Sequence, residues 1–134
     1  MNIREQGGAM VLVADSEERV LHQVSTTLEK AGFTVFTALG RSAAQDFCHD
    51  HKEPVQLVII DSVMGADAPE LVRELCQSNP GVRVLFTGSQ DESAATQQAV
   101  PAGHSCGYLT KPFRRSHLLG IVLKAMDAPL ALTA

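Results

Sequence analysis

Residues 57–61 read Leu-Val-Ile-Ile-Asp, and residues 11–15 read Val-Leu-Val-Ala-Asp. Each is an unbroken apolar run that stops at an aspartate. Alternating apolar and polar residues would mark a strand with one wet face; a continuous run this short marks a strand buried on both faces, the habit of a parallel sheet covered by helices. Two central strands are therefore expected, Met10–Ala14 and Val55–Ile60, with Asp15 and Asp61 just past their carboxyl ends.

The segments around these strands alternate in type. Ser16 precedes Glu17 and Glu18 as a helix N-cap followed by first-turn acids; Val20, Val24, Leu28 and Ala31 recur at helical spacing, and Lys30 and Gly32 close the segment, predicting a helix over 17–31. A strand follows over Phe33–Ala38, then a helix over Gly40–Asp50 with Ala43, Ala44, Phe47 and Cys48 as its apolar side, before Pro54 interrupts the chain. After Asp61, Ser62–Ala68 reads as a loop around Gly65. Pro69 opens a helix to Ser78 with Leu71, Val72, Leu75 and Cys76 inward, and Asn79-Pro80-Gly81 is a turn. A strand over Val82–Thr87 precedes a weakly apolar helix over 91–100, whose inward residues are Ala95, Ala99 and Val100. Pro101 ends it, and a short strand, Tyr108–Thr110, leads to a final helix over 114–126 striped by Leu118, Leu119, Val122, Leu123 and Met126. Strands alternating with helices in this way imply an α/β doubly wound parallel sheet.

Composition narrows the function. At 134 residues, 45% of them apolar, the chain suits one domain that needs neither disulfides nor a structural metal. A net charge of −4 with no basic stripe argues against nucleic acid and against an anionic membrane surface. No apolar run approaches the roughly 18–20 residues of a membrane span, and residues 1–10 lack the apolar core of a secretory signal. Cys48, Cys76 and Cys106 are odd in number and lack a Cys-x-x-Cys pair, as suits reduced thiols in a cytoplasm. The expected organisation is an N-terminal lead-in over 1–8, one domain over 9–127, and a C-terminal tail over 128–134.

In an open parallel sheet, ligands bind outside the carboxyl ends of the strands. The residues at those ends are Asp15, Asp61, Thr87 and Lys111. Two carboxylates, a hydroxyl and an ammonium converging from separate strands can hold a hard divalent cation and a phosphoryl group.

With those residues in hand, the sequence resembles a CheY-like response-regulator receiver domain of two-component signal transduction. The likeness runs over about residues 9–127 and is carried by VLVADSEE at 11–18, LVIID at 57–61, VLFTG at 84–88 and YLTKPF at 108–113. It implies a flavodoxin-like (βα)5 fold with strand order 2-1-3-4-5. It also implies that Asp61 is the phosphoacceptor, taking a phosphoryl group from a histidine kinase or a histidine phosphotransfer protein. Mg²⁺ would be held by Asp15, Asp61 and the backbone carbonyl of Val63. Lys111 would pair with the phosphoryl oxygen, Thr87 would donate its hydroxyl to it, and Thr87 and Tyr108 would form the switch. Pro112, after a cis peptide in the family, would aim Lys111. An output partner would read the face built from the 91–100 helix, the fifth strand and the last helix. Such a chain is a cytoplasmic signal receiver and no enzyme beyond its own phosphorylation and dephosphorylation.

One departure from the family pattern stands out. The family has an acidic pair after the first strand, and here Ser16 replaces the second acid. Losing a carboxylate about 4–5 Å from a dication removes a few kcal/mol of raw attraction at an effective dielectric near 20, much of it returned by water, so Mg²⁺ binding should weaken. Ser16 or Glu17 is the candidate substitute ligand, with Glu18 beside them, although acids there also serve the helix dipole. Gly65 stands where the family often has Pro, loosening the expected loop, and the stretch 103–108 is one residue longer than usual.

The remaining motifs argue for less. Cys48-His49-Asp50-His51 are consecutive at a helix end and point in different directions, so they make a solvated terminus rather than a metal site. Cys48 and Cys76 should pack as small hydrophobes, while Cys106 is the candidate reactive thiol. Asp61-Ser62-Val63 lacks the second acid that aspartate-dependent phosphatases use, and no phosphate-binding glycine motif is present. Two readings stand: a phosphorylatable receiver, or a receiver-like module that binds partners without phosphorylation.

Overall fold

The computed structural model describes residues 9–89 and 100–127. Five strands, β1 (Met10–Asp15), β2 (Thr34–Leu39), β3 (Leu57–Asp61), β4 (Arg83–Gly88) and β5 (Cys106–Thr110), form one sheet in the order β2-β1-β3-β4-β5. Every pairing is parallel. The described helices are α1 (Glu18–Lys30), α2 (Gly40–Asp50), α3 (Ser62–Asp67), α4 (Pro69–Ser78) and α5 (Arg115–Asp127). This is the expected doubly wound, flavodoxin-like α/β fold.

The two-residue period of a strand sorts the core into two layers. Leu12 and Ala14 of β1, Val58 and Ile60 of β3, and Val84 and Phe86 of β4 face one side, where they meet Ala44 of α2 and Leu71, Val72 and Leu75 of α4. Val11, Val13, Leu57, Ile59 and Leu85 face the other and meet Leu21, Val24 and Leu28 of α1 and Leu118 and Val122 of α5. β1 and β3 are buried on both faces, which is why their sequences show no alternation. At the opposite end of the sheet Asn79 ties the end of α4 to the chain entering β3: its Oδ1 accepts from Val55 N at 2.7 Å, and its Nδ2 donates to the Leu75 carbonyl at 2.8 Å.

Several local expectations change. Helix α1 begins one residue later than expected, with Glu17 at the N-cap and no side-chain cap. The Glu17 N–H donates to Asp15 Oδ1 at 2.9 Å, which fixes the turn into the helix without capping it, and Ser16, the expected cap, is exposed. Ser62–Ala68 is not a loop: α3 occupies Ser62–Asp67, capped by Asp61, whose Oδ2 accepts from Met64 N at 3.2 Å. Nor does Gly65 loosen it. A Cβ there would come within 2.8 Å of the Phe86 ring, so the glycine lets α3 lie directly on β4. β5 starts at Cys106, two residues early, because Cys106 and Gly107 pair with Val84 and Leu85. The helix expected over 91–100 lies outside the described residues except for Val100, which packs on the α2–α4 side.

Candidate functional site at the carboxyl end of the sheet

Asp15 and Asp61 end β1 and β3, Thr87 is the next-to-last residue of β4, and Lys111 follows β5. Burial of β1 and β3 carries both aspartates into the protein, where Asp15 is 1% and Asp61 9% exposed. Bare carboxylates that deep are costly unless every oxygen is paired. Here each has two kinds of partner. Asp15 gives Oδ1 to the Glu17 N–H and Oδ2 to Lys111 Nζ at 2.9 Å; Asp61 gives Oδ2 to the Met64 N–H and Oδ1 to the same Nζ, again at 2.9 Å. One ammonium therefore bridges two strand ends. Burial alone would lower the Lys111 pKa, but hydrogen bonds and charge from Asp61 and Asp15 outweigh it, and the pKa rises above the ordinary lysine value.

Thr87 is buried and lies in register with Asp61, so its hydroxyl belongs to the same strand-end row. Lys111 is anchored through its backbone N–H to the Gly88 carbonyl at 2.8 Å, and the Lys111–Pro112 peptide is cis. Val63 is exposed at the rim, as are Ser16, Glu17 and Glu18. Among the described residues, no three His, Cys, Asp or Glu side chains gather as a metal-binding group. Among the described residues, the acidic side chains that meet Lys111 are Asp15 and Asp61. Mg²⁺ commonly binds through one or two carboxylates together with water and substrate phosphate, so this pair fits it in kind while offering few donors.

Sequence reasoning singled out Tyr108 but not what it touches. Its hydroxyl donates to the Ser89 carbonyl and lies 3.4 Å from Ser62 Oγ. Ser62 is wholly buried, directly after Asp61. A serine following an aspartate at a strand end reads as a loop residue, so no pattern in the sequence marks it.

Elsewhere the side chains disperse. The His51 ring stacks on Phe47, with centroids 4.4 Å apart, and tilts against Phe36, while His49 Nε2 lies 3.5 Å from Glu74. That divergence leaves no metal site in residues 48–51. Burial pushes the thiols of Cys48 and Cys76 up to about 11, with Glu74 adding to the rise at Cys48. Cys106 is exposed, but partial desolvation of its thiol raises its pKa too, which disfavours the reactive thiolate.

A model of the response regulator receiver domain matches residues 11–123. The chain belongs to that family. This receiver domain is 30% identical over 122 residues to the sensor kinase CckA of Brucella abortus (strain 2308), covering 90% of this chain and 13% of the kinase. It is 28% identical over 123 residues to the DNA-binding transcriptional regulator NtrC of Rhizobium meliloti (strain 1021), covering 91% of this chain and 25% of that regulator. The chain thus spans a quarter or less of either relative. A response regulator from Thermotoga maritima superposes with a TM-score of 0.73 at 27% identity, covering 90% of this chain and 98% of that one. Receiver domains are signalling modules of two-component and phosphorelay pathways rather than classical enzymes. No helix among the described residues is long and apolar enough to cross a membrane.

Proposed function

We propose that this receiver domain accepts a phosphoryl group on Asp61 from a phosphohistidine of a sensor kinase or histidine phosphotransfer protein. The observation that carries the reading is Lys111, bonded at 2.9 Å to both Asp15 and Asp61. That arrangement keeps a cation against the acceptor carboxylate, beside the point where phosphoryl charge would arrive. An Asp61 oxygen attacks phosphorus, the new O–P bond forms as the N–P bond breaks, and the imidazole leaves with the electron pair. Lys111 shifts toward the phosphoryl oxygen while Asp15 retains it, and Thr87 donates its hydroxyl. Mg²⁺, when bound, supplies charge neutralisation and would be held by Asp15, Asp61 and the Val63 carbonyl. With Ser16 in place of an acid, that binding is weaker than in receivers carrying the pair. Switching then acts on an output partner through the surface that includes Tyr108, β5 and α5.

Incubation with Mg²⁺ and a small phosphodonor, read by intact mass, tests this. The expected result is a single phosphoryl adduct in the wild type and none in Asp61→Asn, whose amide oxygen can still cap α3. Absence of an Asp61-dependent adduct with both the phosphodonor and a cognate kinase would reject the reading in favour of a phosphorylation-independent binding module.

A further inference from the structure

Ser62 is the residue after the proposed acceptor, and its side chain is completely buried. Its neighbours explain why position 88 is glycine. A Cβ at Gly88 would lie 2.0 Å from Ser62 Oγ and 2.8 Å from Tyr108 Oη. The space a side chain at 88 would fill is therefore occupied from both sides, by the Ser62 hydroxyl from α3 and by the Tyr108 hydroxyl from β5. A phenol carries one proton, and its shorter contact is with the Ser89 carbonyl; Ser62 Oγ, 3.4 Å away, is the second polar group facing the phenol oxygen. Tyr108 thus meets three things when turned inward: the Ser89 carbonyl, the bare α-carbon of Gly88, and the hydroxyl of the residue bonded to Asp61.

We infer that Ser62 is a positioning residue that holds Tyr108 inward before any phosphoryl group arrives. The output face is then biased toward its inward form in the unmodified protein. This rests on the reading of Tyr108 as the reporter of the Asp61 site, and it specifies how that site is regulated: phosphorylation adds to an existing bias instead of creating one. Ser62 joins the two because it is peptide-bonded to Asp61 on one side and packed against Gly88 and Tyr108 on the other.

The chain has one tyrosine and no tryptophan, so ring-labelled tyrosine NMR and acrylamide quenching of intrinsic fluorescence both report Tyr108 alone. In unphosphorylated wild type, the ring signal should lie far from its free-tyrosine position and quenching should be weak. Ser62→Ala should lower the inward-to-outward ratio about twofold, the scale of a long and therefore weak hydroxyl contact, moving the signal toward free tyrosine and raising the quenching constant, with far-UV circular dichroism unchanged. Ser62→Cys keeps the buried side chain while weakening the hydroxyl contact and should displace Tyr108 likewise, which keeps the test decisive if Ser62→Ala folds poorly. An unchanged Tyr108 signal in the folded variants, or a wild-type ring already at the free-tyrosine position, overturns the inference. Both readouts need no phosphoryl group: a displaced ring without an Asp61 adduct would sustain Ser62 and sink the phosphoacceptor reading, and an adduct with an immobile ring would do the reverse.

Discussion

Replacing Lys111 with Met removes the ammonium while keeping most of the side-chain volume. Each 2.9 Å contact with Asp15 or Asp61 represents about 6 kcal/mol of raw Coulomb attraction at an effective dielectric of 20. Most of that is offset by the desolvation of three charges. What the variant adds is two buried carboxylates facing one another without a cation, and breaking a buried pair costs about 3–5 kcal/mol. The Lys111 side chain is 21% exposed, so water screens part of the loss, and about 2–3 kcal/mol at pH 7.5 is expected. Urea unfolding followed by circular dichroism should show the midpoint falling by about 1–2 M at a typical slope for this size.

The pH dependence of that loss identifies its cause. In Lys111→Met, two carboxylates face one another without a cation and repel when both are charged, so the loss is smaller in acid, where protonation relieves the repulsion, and grows as pH rises. The gap to wild type should widen between about pH 5 and pH 7.5. Mg²⁺ should also raise the midpoint of the variant more than that of the wild type, because a cation binding the folded state there replaces the lost charge. A midpoint change below about 0.3 M at pH 7.5, or a gap that narrows with rising pH, would refute the claim that Lys111 holds this pair together.

Three further outcomes follow from the same geometry. Ser16→Asp should tighten Mg²⁺ about tenfold in an NMR titration, equal to ~1.4 kcal/mol, and no change would mean that position 16 does not face the cation. Gly65→Ala should lower stability by about 1–3 kcal/mol in urea melts, because its Cβ meets the Phe86 ring at 2.8 Å; a neutral result would show that α3 is not seated on β4. The raised Lys111 pKa contributes stability that is complete below its unfolded value of 10.5 and is lost as pH climbs through the higher folded value, so the wild type should lose its advantage over Lys111→Met only above about pH 10.5.

The fold was legible where burial leaves a continuous signature. Unbroken runs in β1 and β3 predict central strands, and the aspartates that end them mark the site. Helix α3 was not legible, because six residues are too few to show a period and its cap is the very aspartate that sequence reasoning reserved for chemistry. The same double use misled at Ser16. Its position favours a cap, but the turn that Asp15 makes with the Glu17 N–H carries the N-cap one residue on, to Glu17. The contact among Ser62, Gly88 and Tyr108 joins residues far apart in the chain through a missing side chain, and an absence leaves no pattern to read.

Those double uses also bear on what Ser16 costs. Each aspartate gives one oxygen to a backbone N–H at the turn that follows its strand, and the oxygens that meet Lys111 are Asp15 Oδ2 and Asp61 Oδ1. Lys111 contacts both of them. A third carboxylate would leave this cluster with two uncompensated charges and a strong demand for a dication; with serine there, two carboxylates and one ammonium leave a single uncompensated charge. On the proposed reading, Lys111 therefore carries a larger share of the neutralisation on which phosphoryl transfer depends, and Mg²⁺ a smaller one. Weak metal affinity and a working acceptor are then compatible, because the positive charge beside Asp61 is covalently part of the chain.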